Sequence, residues 1–217
     1  MTTPAPNPAP VRTAFVVAPV FLLLGVLGMK LGWKPNPDMS WTVALPLWTG
    51  AHLAYIIGNL AMFAVLATLW TWSRQAARTG PERGAVTVVA AVGAVGTVAM
   101  IGQMVIDLVV GFRAGGRGEM KAISQSIHDL PGFEAFFYGA VPALGLAGVA
   151  VLAIAVAVRR RTPAWTAAVF LVGSVCIGTG MTALMIAGGV AACVALPAMV
   201  RGAATEARTG RHVAVAA

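Results

Sequence analysis

The sequence predicts an all-α fold, a polytopic bundle of transmembrane helices, and three observations predict it. Of 217 residues, 59% are hydrophobic and 10% are charged, and mean hydropathy is +0.84; soluble domains carry about 25% charged residues. The apolar residues come in runs long enough to cross a hydrocarbon layer of roughly 30 Å. The runs also end as membrane spans do. Trp48 and Trp72 flank the second run, and Arg159, Arg160 and Arg161 stop the fourth, in the manner of interfacial rings and topology charges.

Residues 1–12 carry Pro4, Pro6, Pro8 and Pro10, which deny a helix and predict a disordered Pro-rich tail. Residues 13–33 form the first span. It reads as uncleaved, because a Pro-rich lead and the lack of a small-x-small site depart from a signal peptide. Lys34 to Pro46 reads as a loop, with Pro35, Asn36, Pro37 and Asp38 as turn formers. The second span covers 47–72 and holds His52. Arg74, Arg78 and Arg83 follow it, with a break at Gly80-Pro81. The third span, 85–112, offers Ala90, Gly93, Ala94, Gly96 and Thr97 for close helix approach.

Residues 119–130 differ from the rest. Met120, Ile123, Ile127 and Leu130 recur at helical spacing, while Lys121, Ser124, Gln125, Ser126 and His128 fill the other face. This predicts an amphipathic helix lying in the membrane interface. The fourth span covers 134–158, with Pro142 as a kink. The uncharged stretch 164–199 would be about 54 Å long as one helix. Folding it at Gly178-Thr179-Gly180 gives spans 163–179 and 181–199. Six spans are therefore preferred, with five the alternative, and residues 13–200 make one bundle ahead of a basic cytoplasmic tail, 201–217.

The positive-inside rule places Arg74, Arg78, Arg83 and Arg159 to Arg161 in the cytoplasm, and the N-terminus with them. Six spans add Arg201, Arg208 and Arg211 to that side. Lys30, Lys34, Arg113, Arg117 and Lys121 fall on the other. The expected location is the cytoplasmic membrane of a bacterium. The net charge of +8 is thus a topology signal rather than a nucleic-acid footprint. Cys176 and Cys193 lie in apolar runs and read as buried free thiols, without metal or redox spacing.

Antiparallel spans bring His52, Asp107, His128, Asp129 and Glu134 to one membrane level, on the outer side. Ionisable groups in a span are costly and mark function by default. His52 and Asp107 are the best placed, with His128 and Glu134 as further candidates. A His–carboxylate pair can relay protons, hold a metal or hold a ligand cation; the competing reading is a hydrogen bond that only locks two helices. Haem ligation by His52 and His128 would need them on facing helices. Asn59 and Gln103 read as amides bonded to neighbouring helices. No phosphate-binding loop, dinucleotide fingerprint or nucleophile elbow is present, so cofactors stay unassigned and nothing marks an enzyme.

Trp48-Thr49-Gly50-Ala51-His52-Leu53 with Ile56-Ile57-Gly58, and the Arg-Arg-Arg-Thr-Pro-Ala-Trp join at 159–165, resemble segments of uncharacterised multi-pass integral membrane proteins of high-GC bacteria. The resemblance implies a bundle of about six spans and a shared helical histidine, and it brings no activity. The residues themselves point first to an accessory, interaction or scaffold subunit of a membrane complex, whose partners are lipid and other membrane subunits or itself. The alternatives are a transporter for a small solute or protons using the His/carboxylate cluster, and a haem- or metal-binding membrane protein.

Overall fold

The structure is a computed structural model that describes residues 9–33, 38–159 and 161–215. Every element in it is a helix. Helix α1 (Ala9–Leu27) continues as a π-helical turn, Gly28–Trp33, and is followed by α2 (Trp41–Ala76), α3 (Gly80–Arg113) and the short α4 (Arg117–His128). Then come α5 (Phe133–Phe137), α6 (Ala143–Val158), α7 (Ala164–Gly178) and α8 (Thr182–Val215). Ala9–Gly32, α2, α3 and Thr182–Ala203 are each long and apolar enough to cross a membrane, and α6 and α7 are shorter apolar helices.

The helices outrun the apolar segments that announce them. An apolar run marks contact with lipid, whereas helical hydrogen bonding continues until a cap or breaker stops it. Residues 9–12, expected in the tail, are already helical; residues 1–8 lie outside the described residues. Residues 41–46, expected in a loop, form the start of α2. Pro46 is tolerated there at the loss of one backbone bond. Helix α3 begins at Gly80 because Thr79 caps it, its hydroxyl accepting from the Glu82 N–H at 3.3 Å with Pro81 in the first turn. At the other extreme, the expected span 134–158 is not one helix. It is broken into α5, a turn over 138–142 and α6, because Pro142 cannot donate into a continuing helix.

Six apolar helices close into a ring. Helix α1 packs on α2, α2 on α3, α3 on α6, α6 on α7, α7 on α8, and α8 returns to α1, while α2 and α6 also meet across the middle. The uncharged stretch divides where its glycines sit: Gly180 adopts φ +72°, a left-handed conformation that closes the turn between α7 and α8. Both connections rich in arginine fall at one end of the ring, where Arg159 pairs with Glu82 at 3.0 Å and Arg161 reaches Gln75. At the opposite end Lys30 donates to the Gly180 carbonyl at 3.2 Å. Cys176 and Cys193 are free and only half-buried.

Small residues hold α3 to α6. Gly93 faces Gly148 and Gly96 faces Gly145, backbone against backbone; a Cβ added at Gly96 would meet the Gly145 nitrogen and lie 2.8 Å from the Val141 carbonyl oxygen. The opposite face of α3 turns Val88, Val92, Val95, Val98, Val105 and Val109 outward, all exposed, as contact with lipid requires. Gly96→Val should therefore lower stability by about 1–3 kcal/mol, read as a fall in the thermal midpoint in mild detergent. Gly50→Ala, where nothing lies within 4 Å, should leave the midpoint unchanged or slightly raised.

Candidate functional site

The ring is filled differently at its two ends. Toward the arginine-rich end, Phe15, Met62, Val65, Leu69, Leu152, Val156, Phe170, Leu196 and Met199 interlock in one buried cluster. Toward the other end the same helices enclose a cavity of about 290 Å³, near the lower limit of small-molecule sites. All six apolar helices contribute to its wall.

One face of α2 supplies His52, Tyr55, Asn59 and Met62 to the cavity, and one face of α3 supplies Thr97, Met100, Met104 and Asp107. The spacings alternate between three and four residues, so each set forms a single stripe along its helix. Two of the polar groups are satisfied by their own helix. Thr97 donates to the Gly93 carbonyl at 2.9 Å and Asn59 to the Tyr55 carbonyl at 2.8 Å. That corrects the expectation that Asn59 bonds to a neighbouring helix: the carbonyl one turn back is the nearer acceptor. Gln103 lines the cavity.

His52 is 2% exposed and Asp107 16% exposed, and Nε2 of the imidazole lies 3.4 Å from Oδ2 of the carboxylate. Nδ1 lies 2.8 Å from the carbonyl oxygen of Trp48. A carbonyl only accepts, so Nδ1 carries a hydrogen. A neutral ring then presents a lone pair from Nε2 to the carboxylate, and two lone pairs facing each other away from water repel. One additional proton between Nε2 and Oδ2 turns that repulsion into attraction. The Trp48 ring packs on His52 with centroids 4.0 Å apart and fixes its orientation.

Tyr138 completes the site and was not singled out by sequence reasoning. Its hydroxyl donates to Oδ1 of Asp107 at 2.6 Å, a length typical of a charge-assisted bond. Tyr138 sits in the turn before α6, outside the apolar helices. Burial first, and then the carboxylate beside it, push its hydroxyl well above the ordinary phenol range, so it remains a donor. His128, at the end of α4, packs against the Tyr138 ring, with centroids 4.1 Å apart and the planes tilted by 40°. Helix α4 also places Met120 against the cluster around Ala44 and Trp48. Its apolar face thus meets the end of the bundle.

Of the four candidate residues, His52 and Asp107 touch, and His128 joins them through Tyr138. Glu134 stands exposed on α5; the break before α6 carries its carboxylate away from the site, and only its backbone carbonyl reaches Tyr138. His52 lies against Asp107, and His128 against the Tyr138 ring. No group of three potential metal ligands occurs among the described residues.

Tyr138→Phe should cost about 1.5 kcal/mol by unfolding in detergent. Asp107→Asn should cost less in that background than in the parent chain, because the two groups share a bond. Strictly additive losses would mean that the two side chains act independently. No protein family, curated protein or solved structure matches this chain.

Proposed function

We propose that the chain is a multi-pass protein of a bacterial cytoplasmic membrane that binds a small solute in its central cavity and moves it, with protons, across the bilayer. The observation that carries this reading is a cavity of about 290 Å³ that ends on a tightly packed core at one end and holds buried His52 beside half-buried Asp107 at the other. A structure that only braced two helices would need the pair but not the space beside it. A transport site needs both, a place for the solute and a titratable group that responds to its arrival.

The arginine-rich end supports a cytoplasmic assignment for that end, and the cavity then opens toward the outer side. A fluorescent-protein fusion after Ala217 should glow in a bacterial host, and an alkaline phosphatase fusion at the same point should be inactive. An active phosphatase would reverse the orientation. The accessory-subunit reading draws on the exposed valine face of α3, which suits a partner helix as well as lipid. Co-purification of a stoichiometric second chain would favour it.

For the transport reading, purified protein in vesicles should take up one class of compound from a panel of small organic acids, amines and neutral solutes. His52→Gln and Asp107→Asn should each abolish that uptake with expression retained, and Glu134→Gln should leave it intact. Uptake unchanged in both site variants would remove the reading.

A further inference from the structure

We propose that the cavity takes a small uncharged molecule with an aliphatic body and a single head group that both donates and accepts hydrogen bonds, as a primary amide does. The inference rests on the solute-binding reading above and names its substrate class. Most polar groups of the wall are already held by protein atoms. Asp107 accepts from the Tyr138 hydroxyl on Oδ1 and lies against His52 on Oδ2. Nδ1 of His52 faces the Trp48 carbonyl, and Lys30 donates to the Gly180 carbonyl. Thr97 and Asn59 donate to carbonyls of their own helices.

Two polar side chains of the wall remain, Tyr55 and Gln103. Neither has a hydrogen-bond partner among the described residues. Both are uncharged, and each donates and accepts. They also stand at one level. Leu66 lies beside Gly93 and His52 beside Asp107, so α2 and α3 run antiparallel. Tyr55 follows His52 by three residues on α2, and Gln103 precedes Asp107 by four on α3. Each is therefore one turn deeper than the His52–Asp107 contact. Around them Leu22, Met62, Met100, Met104 and Phe170 supply apolar wall.

The cost of desolvation selects an uncharged head. An ionic head would meet a full charge here only by displacing a bond that Asp107 or Lys30 already makes with the protein. Elsewhere in the cavity it would sit among thioethers and methyl groups, where its lost hydration is not replaced. A primary amide gives up less and recovers its bonds. Its carbonyl can accept from the Tyr55 hydroxyl, and its N–H can donate to the Gln103 carbonyl oxygen. A wholly apolar molecule would instead strip water from Tyr55 and Gln103 and leave both unbonded. The methionine side chains adapt to the shape of an aliphatic body.

Three radiolabelled probes of equal chain length and different head decide the matter at neutral pH: hexanamide, hexanoate and hexylammonium. Equilibrium dialysis sets the purified full chain in mild detergent against the same detergent without protein, so that partition into micelles cancels. Hexanamide is expected to bind saturably, about tenfold or more tighter than either ion. Gln103→Leu and Tyr55→Phe should each weaken hexanamide roughly three- to tenfold and leave the ions unaffected, which a general loss of structure would not do. If Gln103→Leu does not fold, Tyr55→Phe, which keeps the ring beside Gly25, carries the test.

Tighter binding of hexanoate or hexylammonium overturns the uncharged head while keeping the solute site. Hexanamide binding that neither variant weakens overturns the assignment to Tyr55 and Gln103. Binding of none of the three also overturns the proposal, and the wider solute panel then decides the site itself.

Discussion

An imidazole and a carboxylate meet inside an apolar ring, and the architecture around them is arranged so that neither is alone. The Trp48 carbonyl fixes the tautomer of His52, and Tyr138 satisfies the second oxygen of Asp107. Each supporting group comes from a different place in the chain: one turn back on α2, and the turn ahead of α6. The break in the helix at 138–142 is what lets Tyr138 reach inward, so the position of Pro142 and the satisfaction of Asp107 are the same fact seen at two levels.

The ring around the pair depends on glycine. Gly93, Gly96, Gly145 and Gly148 bring α3 and α6 to backbone contact, and Gly173 against Gly188 does the same for α7 and α8. In lipid, where apolar burial gives helices no reason to associate, such close packing supplies the attraction. It also sets the division of the interior. Where large side chains interlock, from Phe15 to Met199, the ring is sealed. Where methionine, tyrosine and small residues line it, space remains. A packed core and an open cavity thus occupy opposite ends of the same six helices.

Much of this was legible in the sequence. The helices, the fold at Gly178 to Gly180, the small-residue face of α3 and the meeting of His52 with Asp107 all follow from hydropathy, glycine placement and antiparallel order. The cavity was not legible, because hydropathy counts Met100 or Met104 as apolar whether it packs a core or walls a void. The stripe His52, Tyr55, Asn59, Met62 was the one available signal, since polar groups at helical spacing inside a span must face something other than lipid. Tyr138 was hidden by being read as part of a continuous span. The residues 134–158 read as one helix, whereas α5 ends at Phe137 and Pro142 stands just before the start of α6.

The proposed role of the cavity turns on the contact between His52 and Asp107 at its wall. The most direct measurement is nitrogen NMR of histidine-labelled protein in bilayers, with His52 assigned by substitution and followed through a pH titration. The expected result is a neutral ring that carries its hydrogen on Nδ1, facing the Trp48 carbonyl, and an Nε2 signal that changes when Asp107 becomes Asn. A neutral His52 carrying its hydrogen on Nε2, or an Nε2 signal indifferent to Asp107, would contradict it.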